Sequence, residues 1–490
     1  MSRQITPMKI LLATSELHPF SKTGGLADMV GALAKFLAKA GHTVGVVTPL
    51  YGGIKVDHSL LKPLEWRLDI PVGHRVIHGS VKTLTTAEGV TVYFVDQPDY
   101  FGNRDGIYFD AAGDYTDNPE RFIFLSKAAV NLARFLPAAV RPEILHAHDW
   151  QTALVPLLVY HGRTREIWLK SPRTFFTIHN LAYQGRYEGP RYGSTNLPWD
   201  YFHTEGAEFH ADFNMLKAGI AYTDVVTTVS PSYAEEIKGL EQGCGLDGLL
   251  RRRAGSLVGI LNGVDYEEWS TTDNPYLPAS YSAADLSGKD VCKAALQREM
   301  GLPIRPGTPL LGTVGRLADQ KGHDIMLPAL EAMLEDDIQF IMLGNGSKAL
   351  EKSYRDLMLR HPGKAACLIG FSQALSHRIE AGCDFFLMPS KFEPCGLNQM
   401  YSLRYGTLPV VRATGGLNDS VVDITEDPGR ANGIKFTGYT PEAMTKALCK
   451  AVALYKEPEL LKHFRETAMA VDFSWERTCQ DYVRLYRGKK

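Results

Sequence analysis

The sequence predicts an α/β protein made of two doubly wound parallel sheets, and three observations carry that prediction. Short apolar runs of strand length recur along the chain. Each ends in a small or polar tip and is followed by residues at helical spacing. The series is broken once, between 266 and 309, where Asp273-Asn274-Pro275, Leu277-Pro278 and Ser287-Gly288 loosen the pattern. At 490 residues the chain exceeds what one core carries. The expected domains are 1–264 and 265–475, with a tail from about 476 to 490 packing back on the first.

Composition narrows the class. The chain is 44% hydrophobic and 22% charged, with a formal net charge of −2 and no long run of one sign. That balance gives no footing for a nucleic-acid or anionic-membrane partner. No stretch is apolar enough to span a bilayer, and the first residues hold no signal core. The seven cysteines lack a C-x-x-C pairing, so a reduced cytoplasmic protein is expected.

Residues 9–13 form the first expected strand, followed by a loop from Ser15 to Gly25. Leu26, Val30, Leu33 and Leu37 then mark one helix face, Gly41 ends it, and 43–48 is the next strand. The Lys22-Thr23-Gly24-Gly25 turn suits phosphate at a helix N-terminus, or equally a tight turn with a solvated lysine. The G-x-G-x-x-G fingerprint of dinucleotide binding is absent. Residues 75–98 alternate like strands, 100–120 reads as a surface loop, and 121–136 as an amphipathic helix.

The strand at 144–147 runs into His148-Asp149-Trp150, which fits a substrate-facing polar cluster better than a metal site, for want of further ligands. Strands at 174–177, 225–229 and 258–261 follow. The first ends in His179-Asn180, where His179 is either a cleft residue or a core histidine. After the break and a helix at 289–300, strands are expected at 310–314, 339–343, 366–369, 385–388 and 408–411.

Arg316 and Lys321 lie five apart across a turn that opens a helix, an arrangement for a diphosphate or simply two surface cations. Glu393, between Phe392 and Pro394 at a strand end, is a desolvated carboxylate that needs hydrogen-bond donors; a helix cap is its plainer reading. Cys395 reads as a small packing residue rather than a nucleophile.

Six motifs occur in order: Ser21-Lys22-Thr23-Gly24-Gly25-Leu26-Ala27-Asp28; His146 to Trp150; His179-Asn180 through Gly185; Asn262-Gly263-Val264-Asp265; Gly315-Arg316-Leu317 with Gln320-Lys321-Gly322; and Glu393-Pro394-Cys395-Gly396-Leu397. Together they resemble the bacterial glycogen synthase and plant starch synthase family over nearly the whole chain. The resemblance implies two Rossmann-like domains facing a deep cleft, the GT-B fold. It implies a hexosyltransferase that passes glucose from ADP-glucose to the non-reducing end of an α-1,4-glucan, with retention and without a metal or other cofactor.

By the same resemblance, Lys22, Asp149, His179, Arg316, Lys321 and Glu393 are catalytic. Lys22, Gly25, Asp28, Tyr108, Asn180, Asn262, Arg316, Lys321, Phe371, Cys395, Gly396 and Leu397 bind substrate. Phe371 stands where many bacterial members have tyrosine, and Asn398 where many have threonine. Two rivals are a glucan phosphorylase, which would need pyridoxal phosphate, and a catalytically silent glucan-binding protein.

Overall fold

The computed structural model describes residues 6–54, 56–65 and 67–488, so residues 489 and 490 of the expected tail lie outside it. The chain forms two compact units. The first holds the chain to Val229, Ala234–Ile260 and the chain from Thr478; the second holds Ser230–Tyr233 and Leu261–Arg477. The switch thus falls before Leu261 rather than after 264. Val264 N–H donates to the Phe473 carbonyl at 2.7 Å and Trp475 N–H to the Val264 carbonyl at 3.2 Å, which ties this connector into the second unit. Ser230 goes with it because its hydroxyl donates to the Pro394 carbonyl at 2.6 Å.

The main strands of the first unit's ten-stranded sheet, which also takes in the two-residue edge strand Lys62–Pro63, are β1 (Lys9–Ala13), β2 (Thr43–Pro49), β3 (Leu68–Val72), β4 (Arg75–Thr85), β5 (Thr91–Asp96), β6 (Ile144–His148), β7 (Arg173–Ile178), β8 (Val225–Thr228) and β9 (Leu257–Gly259). They lie in the order β9-β8-β7-β6-β1-β2-β5-β4, with β3 on β4. Pairing is parallel from β9 to β5 and antiparallel beyond. The winding direction reverses between β1 and β6. Ligands of open parallel sheets sit beyond the strand ends at such a switch point.

The second unit contains β10 (Leu310–Val314), β11 (Gln339–Gly344), β12 (Ala365–Ile369), β13 (Phe385–Met388), β14 (Leu408–Arg412) and β15 (Ile434–Phe436). Their order, β12-β11-β10-β13-β14-β15, is parallel throughout and reverses between β10 and β13. Both faces are covered, which is why β13 reads as an unbroken apolar run. Phe385 and Leu387 join one core layer, and Phe386 and Met388 the other.

The helices that matter for the sites are α1 (Gly25–Lys39), α2 (Asn118–Phe135), α3 (Ser287–Glu299), α4 (His323–Met333), α5 (Asn398–Arg404), α6 (Gly415–Ser420) and α7 (Trp475–Tyr486).

Two expectations about the first unit need correction. The segment 100–120 is not a plain surface loop: Tyr100 and Phe101 are buried, and Asn118 already opens α2. Nor is α2 an ordinary amphipathic helix, because most of it is buried, Arg121 completely. Arg121 Nε donates to the Tyr100 carbonyl and Nη1 to Asn118 Oδ1, both at 2.6 Å, while its guanidinium lies over the rings of Tyr115, Phe101 and Phe122. Pattern counting takes arginine as solvent-facing, whereas here a backbone carbonyl, an asparagine side chain and aromatic rings replace its water. From Thr478 onward α7 belongs to the first unit, where Tyr486 Oη meets His146 Nδ1 at 2.7 Å and its ring stands edge-on to Phe175.

Candidate active site

At the switch point of the first sheet, the loop after β1 turns on a buried carboxylate. Glu16 Oε2 accepts from Thr23 N–H at 2.5 Å and Gly24 N–H at 3.2 Å. Its Oε1 accepts from Thr23 Oγ1 and Tyr108 Oη, each at 2.6 Å. Lys22 is paired with Asp28, one turn into α1, at 2.7 Å. Gly25 is the first residue of α1, and a Cβ on it or on Gly24 would meet nothing within 4 Å. The N-terminus of α1 is therefore open to an approaching group. Burial beside Glu16 pushes the Tyr108 phenol well up, so it serves as a donor.

Three histidines cluster along β6 and just beyond β7, with their rings tilted against one another. Both ring nitrogens of His146 are taken, by Tyr486 Oη and by Thr177 Oγ1 at 2.6 Å. His148 Nδ1 meets His179 Nε2 at 3.1 Å. Burial lowers His146 and His179 to about 3 and His148 well below its ordinary value, so all three are neutral. Among the described residues no group of three His, Cys, Asp or Glu side chains could hold a metal ion.

Asp149 follows β6 at φ 56° and ψ 179°, a strained backbone conformation that is used almost only by glycine. Its carboxylate accepts His179 N–H at 2.8 Å, and burial raises it to about 7 against the opposing hydrogen bonds from the His179 and Asn180 N–H groups. Asn180 Oδ1 accepts Ala182 N–H at 3.1 Å, which shapes the turn after β7.

The second sheet carries the other cluster. Glu393, 6% exposed, follows β13, and its Oε2 accepts from Lys321 Nζ at 2.7 Å and from Ser390 Oγ at 2.9 Å. The helix-cap reading therefore fails: the residue before α5 is Leu397, and no side chain caps it. Lys321 closes the turn Asp319–Lys321. Gln320 binds that turn to the acid's loop, donating from Nε2 to the Phe392 carbonyl at 3.1 Å and accepting Lys391 N–H at 2.8 Å. Gly322, at φ 73°, lets the turn close: a Cβ there would lie 2.1 Å from the Pro389 carbonyl oxygen.

The Gly415-Gly416 pair opening α6 backs the acid itself. A Cβ on Gly415 would fall 1.9 Å from the Glu393 carbonyl oxygen, and one on Gly416 2.0 Å from that of Cys395. The sequence shows these glycines, but not that they lie against the acid's backbone.

Arg316 follows β10, exposed, and its side chain makes no hydrogen bond or ion pair among the described residues. Cys395 is buried, and burial pushes its thiol up to about 12, which suits packing and not nucleophilic attack. Asn262 Oδ1 is buried without a partner among the described residues. Gly396, at φ 70°, and Leu397 lead into α5. Asn398 Nδ2 donates to the Val314 carbonyl at 2.8 Å and joins the ends of β10 and α5. Phe371, beyond β12, is 87% exposed.

The structure thus joins Lys321 to Glu393, Lys22 to Asp28, and His179 to Asp149, and leaves Arg316 and Phe371 reaching outward. The sequence shows no individual role for Glu16, Gln320, Ser390 or the buried Arg121. Glu16 and Ser390 do sit in polar strand-end tips, but nothing in their spacing sets them apart.

The family model described as the starch synthase catalytic domain matches residues 9–252, and that of group 1 glycosyl transferases matches 300–470. A glycogen synthase of Anaeromyxobacter sp. (strain Fw109-5) is 50% identical, over 98% of this chain and 99% of its own. One of Myxococcus xanthus (strain DK1622) is 47% identical at the same coverage.

Among solved structures, the catalytic domain of starch synthase IV from Arabidopsis thaliana, bound to ADP and acarbose, superposes with a TM-score of 0.88 at 33% identity, covering 99% of each chain. The sucrose-phosphate synthase of Thermosynechococcus elongatus shares the fold, with a TM-score of 0.60 at 17% identity over 98% of each chain. With two Rossmann-like units of the GT-B class and full-length relatives at about half identity, the chain belongs to the glycogen and starch synthase family of glycosyltransferases.

Proposed function

We propose that this glycogen synthase relative uses ADP-glucose as its donor, extends the non-reducing end of an α-1,4-glucan with retention, and needs no metal or other cofactor. The observation that carries this reading is the Lys321–Glu393 pair at the switch point of the second sheet, with the outward-reaching Arg316 beyond the adjacent strand. The solved starch synthase relative bound to ADP and acarbose supports a nucleoside diphosphate and a glucan-like ligand here. We assign the cytoplasm as its place of work on the free cysteines and on the lack, among the described residues, of a helix able to cross a membrane.

The chemistry follows from where charge develops. Departure of ADP leaves an oxocarbenium-like sugar and a growing negative charge on the diphosphate. Arg316 offers a guanidinium fork to that charge, and Lys321 a point charge. Stabilisation realised mainly in the transition state lowers the barrier and supplies the positive charge a metal would otherwise bring. As Lys321 turns toward the diphosphate, Glu393 is left with Ser390 and can accept from sugar hydroxyls, holding the donor glucose. Glu393 positions the sugar and forms no glucosyl ester; such an ester, trapped and found by mass spectrometry, would reverse this assignment. At the first switch point, neutral His179 and the nearby Asp149 carboxyl offer hydrogen bonds to an uncharged sugar.

The deciding experiment measures glucose incorporation into glycogen from ADP-glucose and UDP-glucose in parallel, with Glu393→Ala as control. Incorporation from ADP-glucose alone, lost in the variant, is expected. A preference for UDP-glucose would overturn the donor assignment, and undiminished activity in EDTA-treated enzyme is the matching expectation for metal.

A further inference from the structure

Glu16 has no assigned role, yet it is among the most fully engaged carboxylates of the first unit. It is 3% exposed, and its two oxygens receive four donors: two backbone N–H groups and two hydroxyls. None of these donors is charged. We propose that Glu16 is a positioning residue: by gathering Thr23, Gly24 and Tyr108 it fixes loop 22–25 at the first switch point and so sets where Lys22 and the N-terminus of α1 stand. The consequence for transfer rests on the reading of that loop as part of the donor-handling machinery; the anchoring itself does not.

The local geometry carries this assignment. Gly24 caps α1 and has no side chain to satisfy the helix's first N–H groups. Glu16 reaches in from the end of β1 and takes the Thr23 and Gly24 N–H groups immediately before the helix, where an anion is favoured by the helix dipole. Thr23 is held through both its backbone and its side chain, so its neighbour Lys22 leaves the anchor in a defined direction toward Asp28. On the other oxygen a hydroxyl chain arrives: Tyr108 donates to Glu16, which leaves Ser15 Oγ to donate to Tyr108 at 2.7 Å. Ser15 is fixed in turn by Tyr51 Oη, which donates to its carbonyl at 2.9 Å. Segment 100–120, held at its base by Arg121, is thereby joined to loop 22–25 through one carboxylate.

The donor set also ranks the substitutions. Hydroxyls can reverse direction and accept, whereas backbone N–H groups cannot. A glutamine at this position can turn its oxygen to Thr23 N–H and Gly24 N–H and its amide nitrogen to the two hydroxyls. It keeps the backbone anchor and reverses the hydroxyl chain. An alanine leaves all four donors without their acceptor.

The test uses the full chain with Glu16→Ala, Glu16→Gln and Glu16→Asp. Hydrogen–deuterium exchange of peptides spanning residues 17–28 is followed without ligand, and initial rates of glucose transfer from ADP-glucose to glycogen are measured. In the alanine variant we expect faster exchange confined to these peptides, and kcat lower by about a hundredfold, the scale of a small misplacement of reacting groups. The KM for glycogen should stay within about twofold, and the glutamine variant should recover most of the loss.

Unchanged exchange in Glu16→Ala would overturn the proposal, as would faster exchange with kcat near that of the parent. If the alanine variant exchanges throughout the chain, Glu16→Asp decides: it keeps the charge but falls one methylene short of the four donors, so faster exchange confined to residues 17–28 with reduced kcat supports the role, and parent kcat with parent exchange rejects it. If the parent transfers glucose from neither ADP-glucose nor UDP-glucose, the substrate reading fails by itself, and exchange alone settles whether Glu16 anchors the loop.

Discussion

The two switch points have the same topology and opposite electrostatics. At the first, the buried groups are neutral or engage neutral partners: His146, His148 and His179 are uncharged, Asp149 is raised to about 7, and Glu16 is held by N–H and O–H donors, while the Lys22–Asp28 ion pair lies at the surface. At the second, Lys321 faces Glu393 directly, and the far end of the same strand repeats the scheme. There Asp384 lies between Lys293, at 2.7 Å, and Arg465, at 2.6 Å. The first arrangement fits an uncharged, hydroxyl-rich ligand held by directional hydrogen bonds. The second fits a ligand that itself carries charge and can replace one partner of an ion pair.

Breaking the charged side should cost most. Glu393→Ala is expected to lower kcat by about a thousandfold or more, as loss of a group facing the reacting sugar does, read from initial rates with saturating donor. Lys321→Ala should lower kcat by about a hundredfold and also destabilise the unit, because it leaves a buried carboxylate without its cation. Breaking a fully buried pair costs about 3–5 kcal/mol. Lys321 is 29% exposed, so solvent screens the pair and about 1 kcal/mol is expected from denaturant unfolding.

The neutral side makes a prediction about pH. Asp149 has a folded-state pKa near 7, above its unfolded value of 3.8, so the folded state binds the extra proton between them. Its contribution therefore favours folding at low pH and is lost as pH rises toward 7. Asp149→Asn removes that loss while keeping an acceptor for His179 N–H. Its melting temperature relative to the parent should climb from about pH 4 to about pH 7 and then level off; a flat difference would place the proton elsewhere. His146 and His179 slope the other way: lowered to about 3, they make the parent gain stability as pH rises from 3 to 6.5. The smallest effect is expected for Tyr108→Phe, which removes one donor from Glu16, costs about 1 kcal/mol of stability and lowers kcat severalfold.

Much of this frame was legible in the chain. The strands at 9–13 and 385–388 announce themselves because both sheet faces are covered, which leaves unbroken apolar runs. Lys321 and Glu393 stood out by setting, but their pairing crosses 72 residues and no local pattern encodes it. Glu16 was hidden for a related reason: three of its four donors lie seven or eight residues on, and the fourth comes from Tyr108, 92 away. Arg121 was misplaced because an arginine inside a helical pattern is ordinarily its solvent face. The unit boundary shifted by a few residues because Val264 follows hydrogen bonds to Phe473 and Trp475, not its strand-like neighbours.

The return of α7 to the first unit bears on how the chain is made. The second unit is inserted within the first, and the residues from Thr478 that complete the first emerge from the ribosome only after the second has been synthesised. Until Tyr482 and Tyr486 arrive, His146 and Phe175 lack the rings that cover them in the finished protein. Although the first unit begins the chain, it is the last to be closed. A nascent-chain complex stalled before Thr478 should hold a folded second unit beside a first that still binds chaperones through that aromatic face.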